Sequence, residues 1–371
     1  MLKSLKLKNV GPAPEMEMEL GKRLNILTGD NGLGKSFLLD TMWWTLTKKW
    51  PAEVNSQINS GFMAQPTNRN MPADILFSFT SEKKQIHSYS FDMSKQNWVA
   101  KSKNEKISDS GCLVLFSQAN DCFAVYDPIR NDPERSFSGN PPAYVFTQKE
   151  IWDGLNSGKG KPLCNGLISD WAGWQKENGT AFNGFLSVLS GLSPSDKEKL
   201  EPGELTRIGL DDVRDIPSIK MPYNQEIPVL HASSGIRRVL ALAYLLVWSW
   251  EEHKKAAKFT GVNPVVDIVF LIDEIENHLH PRWQRVIVRS LMNVVRELTE
   301  NSNIQIVLST HSPMTMASIE PLFDNKTDVW FRLNLDFENL IPNVVLTGKE
   351  YEKKGDATGW LTSEAQRQGL L

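Results

Sequence analysis

Apolar positions change period several times along the chain, and each change predicts a different element. Over residues 1–28 they recur at about every second position: Leu2, Leu5, Leu7 and Val10, then Met16, Met18 and Leu20 in strict alternation, then Leu24, Ile26 and Leu27. That period predicts strands, because successive side chains point to opposite faces of a sheet. Over 35–49 the spacing becomes helical, with Phe37, Leu38, Met42 and Leu46 on one face, and Pro51 closes the segment. Residues 52–110 are polar and rich in Asn, Ser and Lys. Within them Asp74 to Phe79 and Ile86 to Phe91 read as hairpin strands joined by Ser81 to Gln85. Cys112 to Phe116 is a continuous apolar run, hence a candidate buried strand, and 127–142 holds four prolines and reads as loop.

The pattern tightens toward the C-terminal half. Ile236 to Trp250 is so apolar that a helix there must be buried on most sides, and Glu251 to Lys255 carries it into solvent. Val265 to Ile272 is a β-branched apolar run that reads as a central parallel strand. Pro281 suits the first turn of a helix over 282–299, and Ile304 to Leu308 is a further buried strand. Strand–helix–strand alternation of this kind predicts a parallel sheet with crossover helices. Before it, 144–200 gathers Trp152, Trp171 and Trp174 among Gly154, Gly158, Gly160 and Gly166. An aromatic mini-core beneath glycine turns and a docking or base-stacking surface both fit that composition. There is no internal repeat, and no sustained heptad pattern between 50 and 225, so no long coiled-coil arm is expected.

Chemistry concentrates where the apolar runs end. The run to Thr28 is followed by Gly29-Asp30-Asn31-Gly32-Leu33-Gly34-Lys35-Ser36 and then by Phe37 in the helix. Gly29, Gly34, Lys35 and Ser36 fit the phosphate-binding P-loop pattern. Glycines let backbone N–H groups converge on a phosphate, and the helix N-terminus adds partial positive charge. Lys35 is placed to reach the β/γ oxygens and the Ser36 hydroxyl to ligate Mg²⁺. The run to Ile272 ends in Asp273-Glu274, the Walker B arrangement: Asp273 to hold Mg²⁺, Glu274 to polarise the attacking water. Adjacent acids on a strand point to opposite faces, so only a strand end lets both approach one nucleotide. His311 follows the next strand, where a neutral imidazole would hydrogen-bond a γ-phosphate. Ser233-Ser234-Gly235 opens the buried helix with hydroxyls and N–H groups, a second anion site that suits the nucleotide of another subunit.

Composition narrows the class. At 371 residues, 40% hydrophobic and 23% charged, the chain reads as one large globular domain or two. A net charge of −3 gives no general pull toward nucleic acid or anionic membrane. Cys112, Cys122 and Cys164, without C-x-x-C spacing, argue against a disulfide framework or zinc cluster and suit a reducing cytoplasm. The N-terminus lacks an apolar core of signal-peptide length, and the longest apolar stretch, Val239 to Trp250, is too short to span a bilayer. A cytoplasmic protein with no membrane partner is expected.

With Gly29 to Ser36, Ala232 to Gly235, Leu271-Ile272-Asp273-Glu274-Ile275-Glu276-Asn277-His278-Leu279-His280-Pro281 and Ser309-Thr310-His311-Ser312-Pro313 in order, the chain resembles the ABC-type ATPase superfamily. It is most similar to the soluble RecF/SMC-like heads and the OLD-family ATPases of bacterial defence systems. The resemblance covers 1–50 and 225–345 well and 51–224 hardly at all. It implies an α/β head with a mostly parallel central sheet and an N-terminal antiparallel β-layer. Residues 1–50 and 225–345 would form the ATPase core, 51–224 an inserted α+β lobe for partner docking or a lid, and 346–371 a tail. It also implies a head-to-tail dimer with two ATP molecules at the interface. Each would be held by Gly29, Asp30, Asn31, Gly32, Gly34, Lys35, Ser36 and Phe37 of one chain and by Ser233, Ser234 and Gly235 of the other. Lys35, Glu274 and His311 would carry hydrolysis, and Ser36, Asp273 and a Q-loop glutamine would hold Mg²⁺. Gln118, after a buried strand, is the choice for that glutamine and Gln148 the runner-up. Ala232 and Ile236 replace the usual Leu and Gln of the signature loop, and Asn277 stands near the place of the inter-subunit aspartate. The acidic cluster of a C-terminal nuclease domain is not evident after His311. The function expected is an ATP-switched subunit controlling a separately encoded nuclease or toxin in anti-phage defence, or alternatively a RecF-like clamp binding DNA in an ATP-dependent way.

Overall fold

The computed structural model describes residues 1–81, 85–102, 110–131, 140–299, 302–336, 343–349 and 353–367. Two sheets share one helix between them. The first is antiparallel, in the order β2-β1-β4-β5-β6: β1 (Leu2–Lys8), β2 (Glu15–Glu19), β4 (Asp74–Phe79), β5 (His87–Asp92) and β6 (Asn97–Ala100). Leu5 stands between Met18 on β2 and Phe77 on β4, so the alternating apolar residues of all three strands face one side.

The second sheet has the order β18-β17-β3-β16-β15-β7-β8-β9. Its five central strands are parallel: β17 (Val329–Asp336), β3 (Leu24–Gly29), β16 (Asn303–Ser309), β15 (Asp267–Ile272) and β7 (Leu113–Ser117). Antiparallel strands close both edges, β18 (Asn343–Lys349) on one side and β8 (Phe123–Tyr126) with β9 (Tyr144–Phe146) on the other. β15 shows why its sequence is apolar throughout. Ile268, Phe270 and Ile272 enter one core cluster and Val269 and Leu271 the other, so neither face is left to water.

Helix α1 (Lys35–Thr47) lies between the sheets, with Leu38, Met42, Trp43 and Leu46 fully buried. A short α2 (Pro51–Val54) follows. The opposite face is covered by α3 (Gln148–Asp153), α4 (Leu167–Glu177), α5 (Thr180–Gly191), α6 (Ser234–Thr260) and α8 (Ile287–Leu298), whose apolar residues join one cluster. Two minor sheets, β10 (Leu155–Asn156) with β11 (Pro162–Cys164), and β12 (Glu201–Pro202), β13 (Ser218–Lys220) and β14 (Glu226–Pro228), fill the connections. Among the described residues no helix is long and apolar enough to cross a membrane.

The structure departs from the sequence reading in several places. The inserted segment 51–224 supplies strands to both main sheets, which the sequence did not specify: β4–β6 complete the antiparallel layer, and β7–β9 widen the central sheet. β1 needs a partner on each side and β15 a parallel neighbour, and these segments supply them. The single helix expected over 282–299 is two, α7 (Pro281–Gln284) and α8, because the backbone leaves the helical region at Val286, with φ −124°. The buried helix runs well past Trp250, to Gly261 in the left-handed conformation that ends it. Trp152 and Trp171 are buried and Trp174 packs against the same cluster, which is the mini-core reading. The C-terminal region is structured at α10 (Ala357–Arg367), which packs on α9 (Pro313–Ile319), with the Trp360 ring edge-on to Trp330. The expected connection at 82–84, most of the proline-rich loop (132–139), and 350–352 and 368–371 of the tail lie outside the described residues.

Candidate nucleotide site

The loop that follows β3 needs its glycines for two different reasons. Gly29, Gly32 and Gly34 have φ of 141°, 80° and 95°, which L side chains rarely adopt. At Gly29 a Cβ would also meet the Leu333 carbonyl oxygen at 2.4 Å, and at Gly34 the Pro12 ring at 2.7 Å. Gly32 meets nothing, and with exposed Asn31 it forms the outer lip. α1 starts at Lys35 with no side-chain cap, so its first N–H groups have no side-chain acceptor. The Lys35 ammonium donates to the Gly29 and Asp30 carbonyls, at 2.9 Å each. Burial pushes its pKa down, against the pull of Asp273, Glu274, Asp30 and Glu276. Ser36 is exposed at the helix start, and the Phe37 ring lies against Gly11.

The ends of β15 and β16 are fastened by one hydroxyl. Ser309 Oγ donates to Asp273 Oδ1 at 2.6 Å and accepts from the Glu274 N–H at 2.8 Å. Glu274 has φ 48°, a left-handed backbone unusual for a side-chain-bearing residue, and its carboxylate and that of Asp273 both act on the Lys35 ammonium. Its Oε1 lies 3.8 Å from His311 Nε2. Glu276, given no role from sequence, holds the next loop: its Oε1 accepts from the His311 N–H at 2.5 Å and the Ser312 N–H at 3.1 Å. Its Oε2 is buried and has no hydrogen-bond partner among the described residues. Only the D-E-x-E spacing signalled this residue.

Gln118 directly follows Ser117, the β7 residue that pairs with Ile272 and accepts from the Asp273 N–H. It is buried, accepts from Ser60 Oγ at 3.1 Å and reaches Asp40 Oδ1 at 3.5 Å. Asp40, one turn into α1 beyond Ser36, has its carboxyl pushed up to about 7, chiefly by burial and then by the neighbouring charge of Asp273. Gln148 is exposed at the start of α3 and reaches Asp121 instead.

The start of α6 is built against the same strand end. Ser233 caps the helix, accepting from the Ile236 N–H at 3.5 Å, and both Ser233 and Ser234 are exposed. Gly235 is buried; a Cβ there would sit 2.7 Å from the His278 carbonyl oxygen. One turn on, Arg238 donates to Asp121 Oδ1 at 2.5 Å and to the carbonyls of Asp273 and Glu274 at 3.3 and 3.1 Å. The Asn277 amide donates to the Ala119 carbonyl at 2.8 Å. The acid pair, the loop after β7 and the start of α6 thus form one hydrogen-bonded unit, and Arg238 had no signal in the sequence beyond its place after Gly235.

These residues fit a nucleoside triphosphate. Lys35 is buried, with only carbonyls as acceptors and, among the described residues, no carboxylate at ion-pair distance. A buried ammonium so placed beside uncapped N–H groups suits a multiply charged anion. Ser36, Asp273 and Gln118 offer hard oxygen donors, which suit Mg²⁺.

A family model described as "AAA domain, putative AbiEii toxin, Type IV TA system" matches residues 24–317, from the start of β3 into α9. The retron Vc95 probable ATPase of Vibrio cholerae serotype O1 biovar El Tor is 26% identical over 254 residues, which is 66% of this chain and 45% of that protein. The Septu protein PtuA of Bacillus thuringiensis is 22% identical over 351 residues, 90% of this chain and 78% of that one. The chain therefore spans under half the length of the first relative and most of the second. Among solved structures, an SMC head bound to the C-winged helix domain of ScpA superimposes with TM-score 0.49 at 14% identity, covering 93% of this chain and 98% of that one.

Proposed function

We propose that this chain, which belongs to the matched AAA-domain family, binds and hydrolyses ATP with Mg²⁺ as a switch for a separately encoded nuclease or toxin in anti-phage defence. The observation that carries the reading is the meeting of Glu274, His311 and the Ser309-fastened Asp273 beside the Lys35 loop. In it, the loop from Gly29 to Phe37 cradles the phosphates, and Lys35 neutralises the β/γ oxygens. Ser36, Asp273 and Gln118 hold the metal, which when bound screens the phosphate charge. Glu274 accepts the proton of the attacking water, and His311 marks the γ-phosphate by a hydrogen bond. Ser233, Ser234 and Gly235 of a second copy complete the site, so loss of the γ-phosphate loosens the pair and signals to the effector. The names of the retron and Septu relatives support the defence setting.

The test is ATP turnover and mass in solution for three proteins. Lys35→Ala is expected to lose nucleotide binding and stay monomeric. Glu274→Gln is expected to bind ATP, lose turnover by at least about a hundredfold and remain dimeric. Wild-type protein that leaves ATP intact ends the ATPase reading. A Glu274→Gln protein that binds ATP yet runs as a monomer ends the two-copy site.

A further inference from the structure

A second cavity lies at the other end of the central sheet, under α8 and beside the starts of β3 and β16. It has a volume of about 270 Å³. β3 is six residues long, so at about 3.3 Å per residue the cavity and the glycine loop are separated by roughly 17 Å or more of strand. Its floor is apolar, with Met292, Ile304 and Leu322, and its rim carries Arg23, Arg289 and Arg296. The three arginines are not equivalent. Arg23 is paired with Asp328 and also donates to the Leu322 carbonyl. Arg289 and Arg296 are exposed, one face apart by two turns of α8. Among the described residues Arg289 has no acceptor, and Arg296 reaches only the Asn293 side-chain oxygen, at 3.5 Å. Two guanidinium groups with no carboxylate partner among the described residues thus flank an apolar hollow in a chain whose net charge is −3.

We propose that this groove is a docking site for an acidic segment of a partner protein, one that places an apolar side chain on the floor and carboxylates against Arg289 and Arg296. Charge complementarity and size decide the occupant. Pockets that enclose a whole small molecule are usually about 300–1,000 Å³, so this one suits a single side-chain anchor better than a nucleotide or metabolite. A phosphate or a nucleic-acid backbone would answer the arginines but leave the apolar floor in water, and the chain offers no general positive field to hold DNA. A leucine or phenylalanine between aspartates answers both, with forked guanidinium–carboxylate pairs at the rim. The inference does not depend on nucleotide binding, since the groove shares no residue with that site.

The test uses a fluorescein-labelled peptide with one phenylalanine flanked by two aspartates on each side, titrated with the full chain and read by anisotropy. Saturable binding is expected, weakened at least tenfold by the double variant Arg289→Glu/Arg296→Glu and by replacing the peptide's aspartates with asparagine. Substituting alanine for the phenylalanine should also weaken it at least tenfold. Both arginines are exposed, so the variant should keep its thermal midpoint and ATP turnover; Arg289→Gln/Arg296→Gln serves if the charge reversal unfolds the chain. No binding by the wild type, equal binding by the variants, or displacement of the peptide by millimolar inorganic phosphate or by a 20-nucleotide single strand overturns the proposal.

Discussion

Gly235, in the first turn of α6, lies so close to the turn after β15 that a Cβ on it would stand 2.7 Å from the carbonyl oxygen of His278. The obstacle is backbone and has no rotamer in which to retreat. Gly235→Ala is therefore expected to push α6 from the acid pair, loosening the Arg238 bridge to Asp273 and Glu274. Overpacking of this kind costs about 1–3 kcal/mol, and a shift of about 1 Å at a reacting centre costs about a hundredfold in rate. Steady-state turnover and a thermal melt measure the two effects, and a variant matching wild type in both would show that the contact relaxes freely.

Glu276 fixes the loop that bears His311. Its Oε1 takes the N–H groups of His311 and Ser312, so Glu276→Ala leaves two donors without their acceptor. A loss of about 1–3 kcal/mol is expected, with Glu276→Gln closer to wild type because the amide oxygen still accepts. Urea denaturation ranks the three proteins, and Gln falling below Ala would contradict the assignment.

Asp40 gives a pH dependence whose sign is fixed. Its folded carboxyl is raised to about 7 from 3.8, so between those values the folded chain binds a proton that the unfolded chain has released. The contribution of this group to stability is greatest near pH 4 and is lost as pH rises through about 7. Asp40→Asn, which keeps an oxygen toward the Gly61 N–H, should raise the melting midpoint more at pH 8 than at pH 5. Differential scanning at the two values decides, and an equal shift at both would remove the titration as its cause.

Trp171 is fully buried, with its ring 4.7 Å from and edge-on to Phe185, and its Nε1 donates to Gln175 at 3.0 Å. Trp171→Ala should destabilise the fold by about 3–5 kcal/mol, measured by denaturant unfolding. A loss under about 1 kcal/mol would return this residue to the surface reading its composition also allowed.

The elements legible in the sequence are those whose signal is local. The glycine loop, Asp273-Glu274 and His311 each follow an apolar run, and the runs proved to be the parallel strands β3, β15 and β16, whose C-terminal ends lie side by side. The pairing partners were not legible. Nothing near β1 announces that β4, more than sixty residues on, completes its sheet, and nothing in β7 announces that it flanks β15. Arg238 and Asp121 are 117 positions apart, and their bond exists only because those pairings bring α6 to the loop after β7. The break at Val286 escaped for a different reason: Ile287, Leu291 and Val294 keep helical spacing, so the periodicity gave no sign of the interruption before them.

The order of the central sheet bears on how the protein is made. β3 carries the glycine loop, yet its neighbours are β16 and β17, and Asn25 meets the Ile306 carbonyl across 281 positions of chain. During synthesis β3 therefore waits until β16, 281 positions on at the Asn25–Ile306 contact, before either edge is covered, and contacts of such separation form slowly. A ribosome that stalls before residue 303 would leave apolar strands with open edges, the form most prone to pair with other chains. Premature termination before residue 303 should consequently give aggregates in place of a shortened, folded head.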